Sequence, residues 1–468
     1  GVNTVYLNAA SGAAAGTYTL MTFGSQSGTG AFVFPNGSNI MFNCTLATNA
    51  TSLTMTIGSG GMGPTRTWDA NAGAAGQTDG TGVWLAANQW WTGSANTSWA
   101  AGDSAIFGNG GVGGAVTLAS ATVLNSLTLN SFSGTYTLGT AGSTITLTNG
   151  INKNSGGTAA TIISPVTLGA AQTWLNNSAG LLAVGTGAVD NGGYLLTISG
   201  SGNTTISSAI SGAGGLTKTG SGVLLINNYG NSYAGPTIVN GGVLQIGTAW
   251  NAGSQSIPGG IDAAVSGSNL EINGGNVRFA YYLRRTLGAG AGQLQLTGGT
   301  SGFSHIQADT YGRLYINNDV NYEVVWGSDY FKPDVLVLNE AAAVPDQVVN
   351  FQNKLDLNGA TRTVACNATL AVSANYINGN NGWMYTTGGR ITGIVRTSSG
   401  TAGLIKIGPG VLQMTAANTF NGGVTVSQGT LEFTSSANVA SANPLGQSSA
   451  AAANLLLANG TSLKYTGG

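Results

Sequence analysis

Apolar residues in this chain fall in short islands whose alternate positions are taken by Thr, Ser or Gln. LTL at 127–129, ITL at 145–147, VTL at 166–168, LTI at 196–198 and LTK at 216–218 are examples. A period of two marks β-strands with one face buried. The islands are separated by GSG, NGG, SGAGG and TAGST, whose residue types form turns rather than helices. Helical periodicity is almost absent; NEAAAVPDQ at 339–347 comes nearest, and Pro345 limits it.

The islands also recur at a nearly fixed distance. GVLLI at 222–226 returns as GVLQI at 242–246, and GVLQM at 410–414 is followed nineteen residues later by GTLEF at 429–433. LTI and LTK are twenty apart, ITL and VTL twenty-one, LTL and ITL eighteen. One such repeat cannot bury its apolar face, but stacked laps can. The pattern predicts an all-β, right-handed parallel β-helix (solenoid) with about 20 residues per coil and an irregular, charge-richer middle section. Leu224 and Leu244 should then lie on adjacent coils. Were every residue wound this way, about 23 coils would approach about 110 Å, an upper bound.

Two segments share a longer frame: GLTKTGSGVLLINNYGNSYAGPTIVNGGVLQIG (215–247) and GLIKIGPGVLQMTAANTFNGGVTVSQGTLEF (403–433). Gly215, Leu216, Lys218, Gly220, Gly222 and Leu224 match Gly403, Leu404, Lys406, Gly408, Gly410 and Leu412. Asn231, Ser232 and Tyr233 then match Asn418, Thr419 and Phe420, and Leu244 and Leu431 stand in the closing strands. These units resemble the passenger-associated, or autotransporter-associated, β-strand repeat of large bacterial surface proteins. TWDANAG at 67–73, GDSAIFGNGG at 102–111 and FQNKLDLNGATRTV at 351–364 resemble segments that flank it. The resemblance implies a β-helix, export across a Gram-negative envelope to an extracellular or cell-surface location, and a repeat without catalytic groups. Five parts are expected: 1–64, terminal β-helix coils resembling the end of a passenger; 65–110, a Trp-rich opening segment; 111–250, β-helix with the first repeat unit; 251–365, a charge-richer β section; and 366–468, β-helix with the second unit. The start without Met and the end in mid-pattern suggest a piece of something longer.

Charged residues make up 6% of the chain, against about 25% in ordinary soluble domains. The 77 Gly suggest low complexity, yet 42% hydrophobic content is enough to fold. The net charge is −1 and the 14 basic residues are scattered, so no clustered footprint for nucleic acid exists. No run of eighteen apolar residues predicts a membrane-spanning helix. Little repulsion keeps copies apart, and no charged or proline-rich cap is evident at either terminus to close the strand edges of a β-helix. The expected function is therefore extracellular and structural, a β-helical subunit of a surface fibre, filament or matrix. Its expected partner is itself, joined end to end or edge to edge, with surface glycans as a further possibility. No enzymatic activity, cofactor or metal is expected. The alternatives are an adhesin that binds glycans through a Trp-rich surface and a β-helix polysaccharide lyase or hydrolase.

Trp68, Trp84, Trp90, Trp91 and Trp99, five of the nine Trp, suit interior packing, contact between copies or a platform for sugar rings. Residues 271–362 hold 16 of the 29 charged groups, including Arg284, Arg285, Asp309, Glu323, Asp329, Asp334, Asp346 and Asp356. Carboxylate pairs there could serve glycan cleavage, but the acids alternate with Arg and Lys, which favours ion pairs. Lys218 and Lys406 share the parity of buried positions and are expected to bend outward. Cys44 and Cys366 read as buried strand residues, too far apart to pair if the chain stacks linearly. The sole histidine, His305 beside Ser304, forms no credible triad or zinc site. The calcium-binding nonapeptide is absent.

Overall fold

Parallel pairing dominates the structure, a computed structural model that describes residues 2–4, 16–25, 31–33, 44–57, 64–248, 256–259, 267–280, 282–306, 311–341, 348–369, 388–438 and 440–467. Among these, the helical elements are two single 3-10 turns, Ile316–Asn318 and Ala452–Asn454. The chain divides into two compact units, Gly1–Leu216 with Gly220–Gly222 and Thr217–Thr219 with Val223–Gly468.

In the first unit the strands build three walls. Ser104–Phe107, Leu127–Leu129, Ile151–Lys153, Gln172–Asn176 and Leu196–Ser199 form one. Ala115–Thr117, Phe132–Leu138, Gly157–Ile162, Leu182–Val184 and Thr204–Ile206 form the second. Thr122–Leu124, Ile145–Leu147, Val166–Leu168, Val189–Asp190 and Ile210–Ser211 form the third. Side chains tie each lap to the next over 21 to 24 residues, close to the expected coil length. The eighteen-residue interval has another origin: LTL at 127–129 and ITL at 145–147 occupy different walls, whereas ITL and VTL pair in register.

The period of two becomes columns in this geometry. Leu124, Leu147 and Leu168 stack inward and are 0 to 2% exposed. Thr146, Thr167, Asp190 and Ser211 form the neighbouring row, whose side chains remain partly in solvent. Burying each such Leu contributes roughly 1.5–3 kcal/mol, but only because a lap above and a lap below close the column.

Val2–Thr4 pairs in parallel with Ala31–Val33, but three other described strands before residue 58 do not continue this pattern. Gly16–Thr22 and Cys44–Thr48 both pair antiparallel with Ser52–Ile57, which corrects the expectation of stacked coils there. The cause is the connection between the last two strands, where Asn49 Oδ1 accepts the amides of Thr51 and Ser52. So short a turn can join only antiparallel strands.

The second unit is again a parallel coil. Leu224 pairs with Leu244, and Leu412 with Leu431, as the repeats require. The charge-rich section stays in the coil: Val277 pairs with Phe303, Phe303 with Leu338 and Leu336 with Val364. Its laps are longer, with cross-lap hydrogen bonds that span 34 to 37 residues against 20 in the second repeat unit. The third wall of this unit runs through Tyr282–Leu283, Tyr311–Leu314, Val348–Phe351, Gly388–Ile391, Val411–Met414, Thr430–Phe433 and Ser462–Tyr465.

Candidate functional site

Three groups of side chains attract a functional reading: the tryptophans, the repeat lysines and the acids of the middle section. Thr65–Trp68 pairs in parallel with Ser104–Phe107 on one side and antiparallel with Trp90–Trp91 on the other, setting Trp68 opposite Trp90. The antiparallel strand ends the stack of laps, and its tryptophans fill the mouth of the coil. Trp68, Trp84 and Trp90 are 0 to 1% exposed. Trp90 meets Trp68 at 5.3 Å, Trp84 at 5.1 Å and Trp99 at 4.7 Å between ring centroids, and Phe107 and Tyr136 extend the cluster inward. Such contacts are worth about 0.5–1.5 kcal/mol each beyond the area they bury.

Of the readings offered for the tryptophans, interior packing is the one that three of them adopt. The first unit's coil does carry a cap at this end, made of indole rather than charge or proline. Trp68, Trp84 and Trp90 have no surface to offer a sugar or a second copy; only Trp91 and Trp99 keep part of theirs. Asp79 locks the cap, a role its isolated position in the sequence gave no sign of. Its carboxylate accepts the amides of Asn109 and Gly111, each at 2.8 Å, that of Gly108 at 3.1 Å, and the Tyr136 hydroxyl. Burial first, then the Asp79 carboxylate, push the Tyr136 hydroxyl far above its usual range.

The repeat lysines point inward, against the expectation that they bend outward. Lys218 and Lys406 are 2% and 1% exposed. Lys406 Nζ donates to the carbonyls of Ile407 at 3.1 Å, Gln428 at 2.9 Å and Gly408; Lys218 Nζ donates to Thr219 and, at 3.2 Å, to Gly241. Each ammonium therefore ties its own turn to the next lap. Lys153, outside the repeats, is fully buried and donates to the Gly157 carbonyl at 3.0 Å. Its spacing in INK, two residues after a buried Ile, is the signal that could have found it. Arg285 works similarly, donating to the carbonyls of Ser268 at 2.7 Å and Pro258 at 3.0 Å.

Burial pushes Lys153 and Lys218 down to about 8 and lowers Lys406, whereas an unfolded lysine titrates near 10.4. Between those values the unfolded chain holds protons that the folded chain has released, so stability rises with pH through this window. Below about 8 both states are protonated and the full cost of burying charge remains. The raised Cys366 thiol acts in the opposite sense over the same range, so the lysine contribution is read as a difference: in urea melts the parent should gain roughly 1–3 kcal/mol more than Lys218→Met between about pH 8 and about pH 10.

Three of the named acids, Glu323, Asp356 and Asp334, are engaged structurally. Glu323 receives both Nε and Nη2 of Arg396, whose guanidinium also lies 3.6 Å from Asp356. Burial alone would raise Asp356, but hydrogen bonds from Ser398 and Asn358, together with Arg396, hold it below its usual range. Asp334 accepts the Gly299 amide at 3.1 Å, and Asp329 is exposed. Asp309 and Asp346 lie outside the described residues. Cys366 is a free, fully buried thiol pushed up to about 11 by burial; the Cys44 side chain lies outside the described residues. His305 and Ser304 are both fully buried. Among the described residues, no three His, Cys, Asp or Glu gather as a metal site would need, and no helix is long and apolar enough to cross a membrane.

Comparison with known proteins places the repeats. The family model for the passenger-associated-transport-repeat matches residues 216–246 and 404–433. Adhesin BmaC autotransporter of Brucella suis biovar 1 (strain 1330) is 33% identical over 146 residues, covering 24% of this chain. The matched stretch is 4% of that relative's length. No solved structure matches. Passengers of this type lie at the cell surface or are secreted, and that coarse location extends to this chain. Two passenger-associated-transport-repeats thus stand within a parallel β-helix, and over part of its length the chain is similar to an autotransporter adhesin.

Proposed function

We propose that the chain is a stiff, non-catalytic structural segment of an exported passenger, and that it contributes to an extracellular fibre or matrix by self-association. One observation supports the scaffold reading above others: the side chains best suited to chemistry are tied to the backbone. Lys406, Lys218, Arg285 and Asp79 are each held by main-chain groups. A buried cation ringed by carbonyls fixes a turn and leaves no room for substrate. Self-association draws on the low charge, because a 46.6 kDa chain with net charge −1 has little long-range repulsion to overcome.

Negative-stain images of untreated secreted material are expected to show filaments or a continuous matrix. Separate particles at every concentration would overturn self-association, and turnover of a polysaccharide by the purified chain would overturn the non-catalytic reading. A second reading, adhesion, draws on the similarity to a relative whose name is adhesin. Its contact surface must lie away from Trp68, Trp84 and Trp90.

A further inference from the structure

The outer face of the second unit's third wall carries a square of two tyrosines and two arginines. Tyr282 pairs with Arg313, and Leu283 with Leu314. Both leucines are fully buried, so the residues flanking them, Tyr282 and Arg284 on one lap and Arg313 and Tyr315 on the next, face outward and are half-buried. Tyrosine and arginine thus alternate along each lap and across the two laps. The Arg284 guanidinium lies 4.4 Å from the centroid of the Tyr282 ring. With Asn318 and Asp319 the four line a cleft of about 560 Å³, within the range of small-ligand sites.

The rim of this cleft is held in place. Asn353 is fully buried, and its Oδ1 accepts the Ile316 amide at 2.7 Å. Its Nδ2 donates to the carbonyls of Ile316 at 3.0 Å, Asp319 at 2.8 Å and Tyr322 at 3.2 Å. One side chain therefore fixes the whole turn that closes the cleft, and a ligand would meet a surface already in shape.

We propose that this cleft binds a uronic-acid residue of an acidic polysaccharide. A sugar ring presents a face of C–H bonds that packs on a tyrosine ring, and its carboxylate matches the planar fork of an arginine. Among the described residues of the lining, the cations are Arg284 and Arg313 and the acid is Asp319, which gives the lining the complementary sign. The site stands independently of the scaffold reading, and a filament could carry it on every copy.

The test titrates the full chain with oligogalacturonate, a neutral maltooligosaccharide and a sulfated oligosaccharide of equal length, followed by calorimetry. Saturable binding of oligogalacturonate is expected, weaker by about tenfold or more in Arg313→Gln, weaker in Tyr315→Leu, and unchanged in Trp91→Ala. If Arg313→Gln fails to melt like the parent, Tyr315→Leu, which keeps both guanidiniums, decides by itself. Absence of saturable binding, equal binding of the neutral sugar, or undiminished binding in a folded Tyr315→Leu would overturn the proposal. Equal affinity for the sulfated probe would overturn the carboxylate assignment.

Discussion

Trp90→Ala should lower the stability of the first unit's opening laps by about 3–5 kcal/mol. The side chain is fully buried, touches four aromatic rings within 5.4 Å between centroids, and donates from Nε1 to the Trp84 carbonyl at 2.7 Å. Its loss leaves a cavity at the mouth of the coil, where no further lap can close over it. In a stack stabilised by neighbours, damage should be greatest near the cap and fade with each lap. Hydrogen exchange that rises across 104–138 and stays slow near Leu196–Ser199 would match. Trp91→Ala, at a partly exposed position, should cost far less. Equal effects of the two changes would show that the cluster is not a cap.

Gly410→Ala should cost about 3 kcal/mol or more. A Cβ there would stand 2.2 Å from the Ala368 carbonyl oxygen, and backbone on a neighbouring lap cannot step aside as a side chain could. Its counterpart Gly222 would place a Cβ 2.1 Å from the Gly202 oxygen, so Gly222→Ala should be comparably harmful. Gly193→Ala is the control: nothing lies within 4 Å of its added carbon, and stiffening the unfolded chain should leave stability equal or slightly higher. Chemical denaturation of the three variants checks both statements. A mild Gly410→Ala would mean that the laps are looser than their registers indicate.

These glycines also show what could be read from the sequence. Gly222 and Gly410 recur because the repeat brings backbone against backbone, and the same interval that set Leu224 above Leu244 predicted the coil. Wall assignment was harder. LTL on one wall and ITL on another carry the same alternation, so spacing alone could not separate them. Lys218 departs from the outward bend expected of it for a physical reason: its parity points inward, and a buried ammonium can stay there only where acceptors meet it. The carbonyls of Thr219 and Gly241 that satisfy it come from turns, whose geometry no pattern of apolar positions encodes. The cap escaped similarly, because Asp79 and Tyr136 meet only after the coil has formed. The tyrosine–arginine square needed a loop-lengthened lap to bring Arg284 beside Tyr315, and no periodicity signals that.

The inward cations have a consequence for the medium in which such a molecule must stand. Attraction between exposed opposite charges fades as dissolved salt rises, but a positive group enclosed by peptide oxygens has no mobile ions around it. A chain that fastens its bends through Lys153, Lys218, Arg285 and Lys406 in this manner should hold its shape alike in dilute water and in brine. That suits material placed beyond the cell's control of its surroundings.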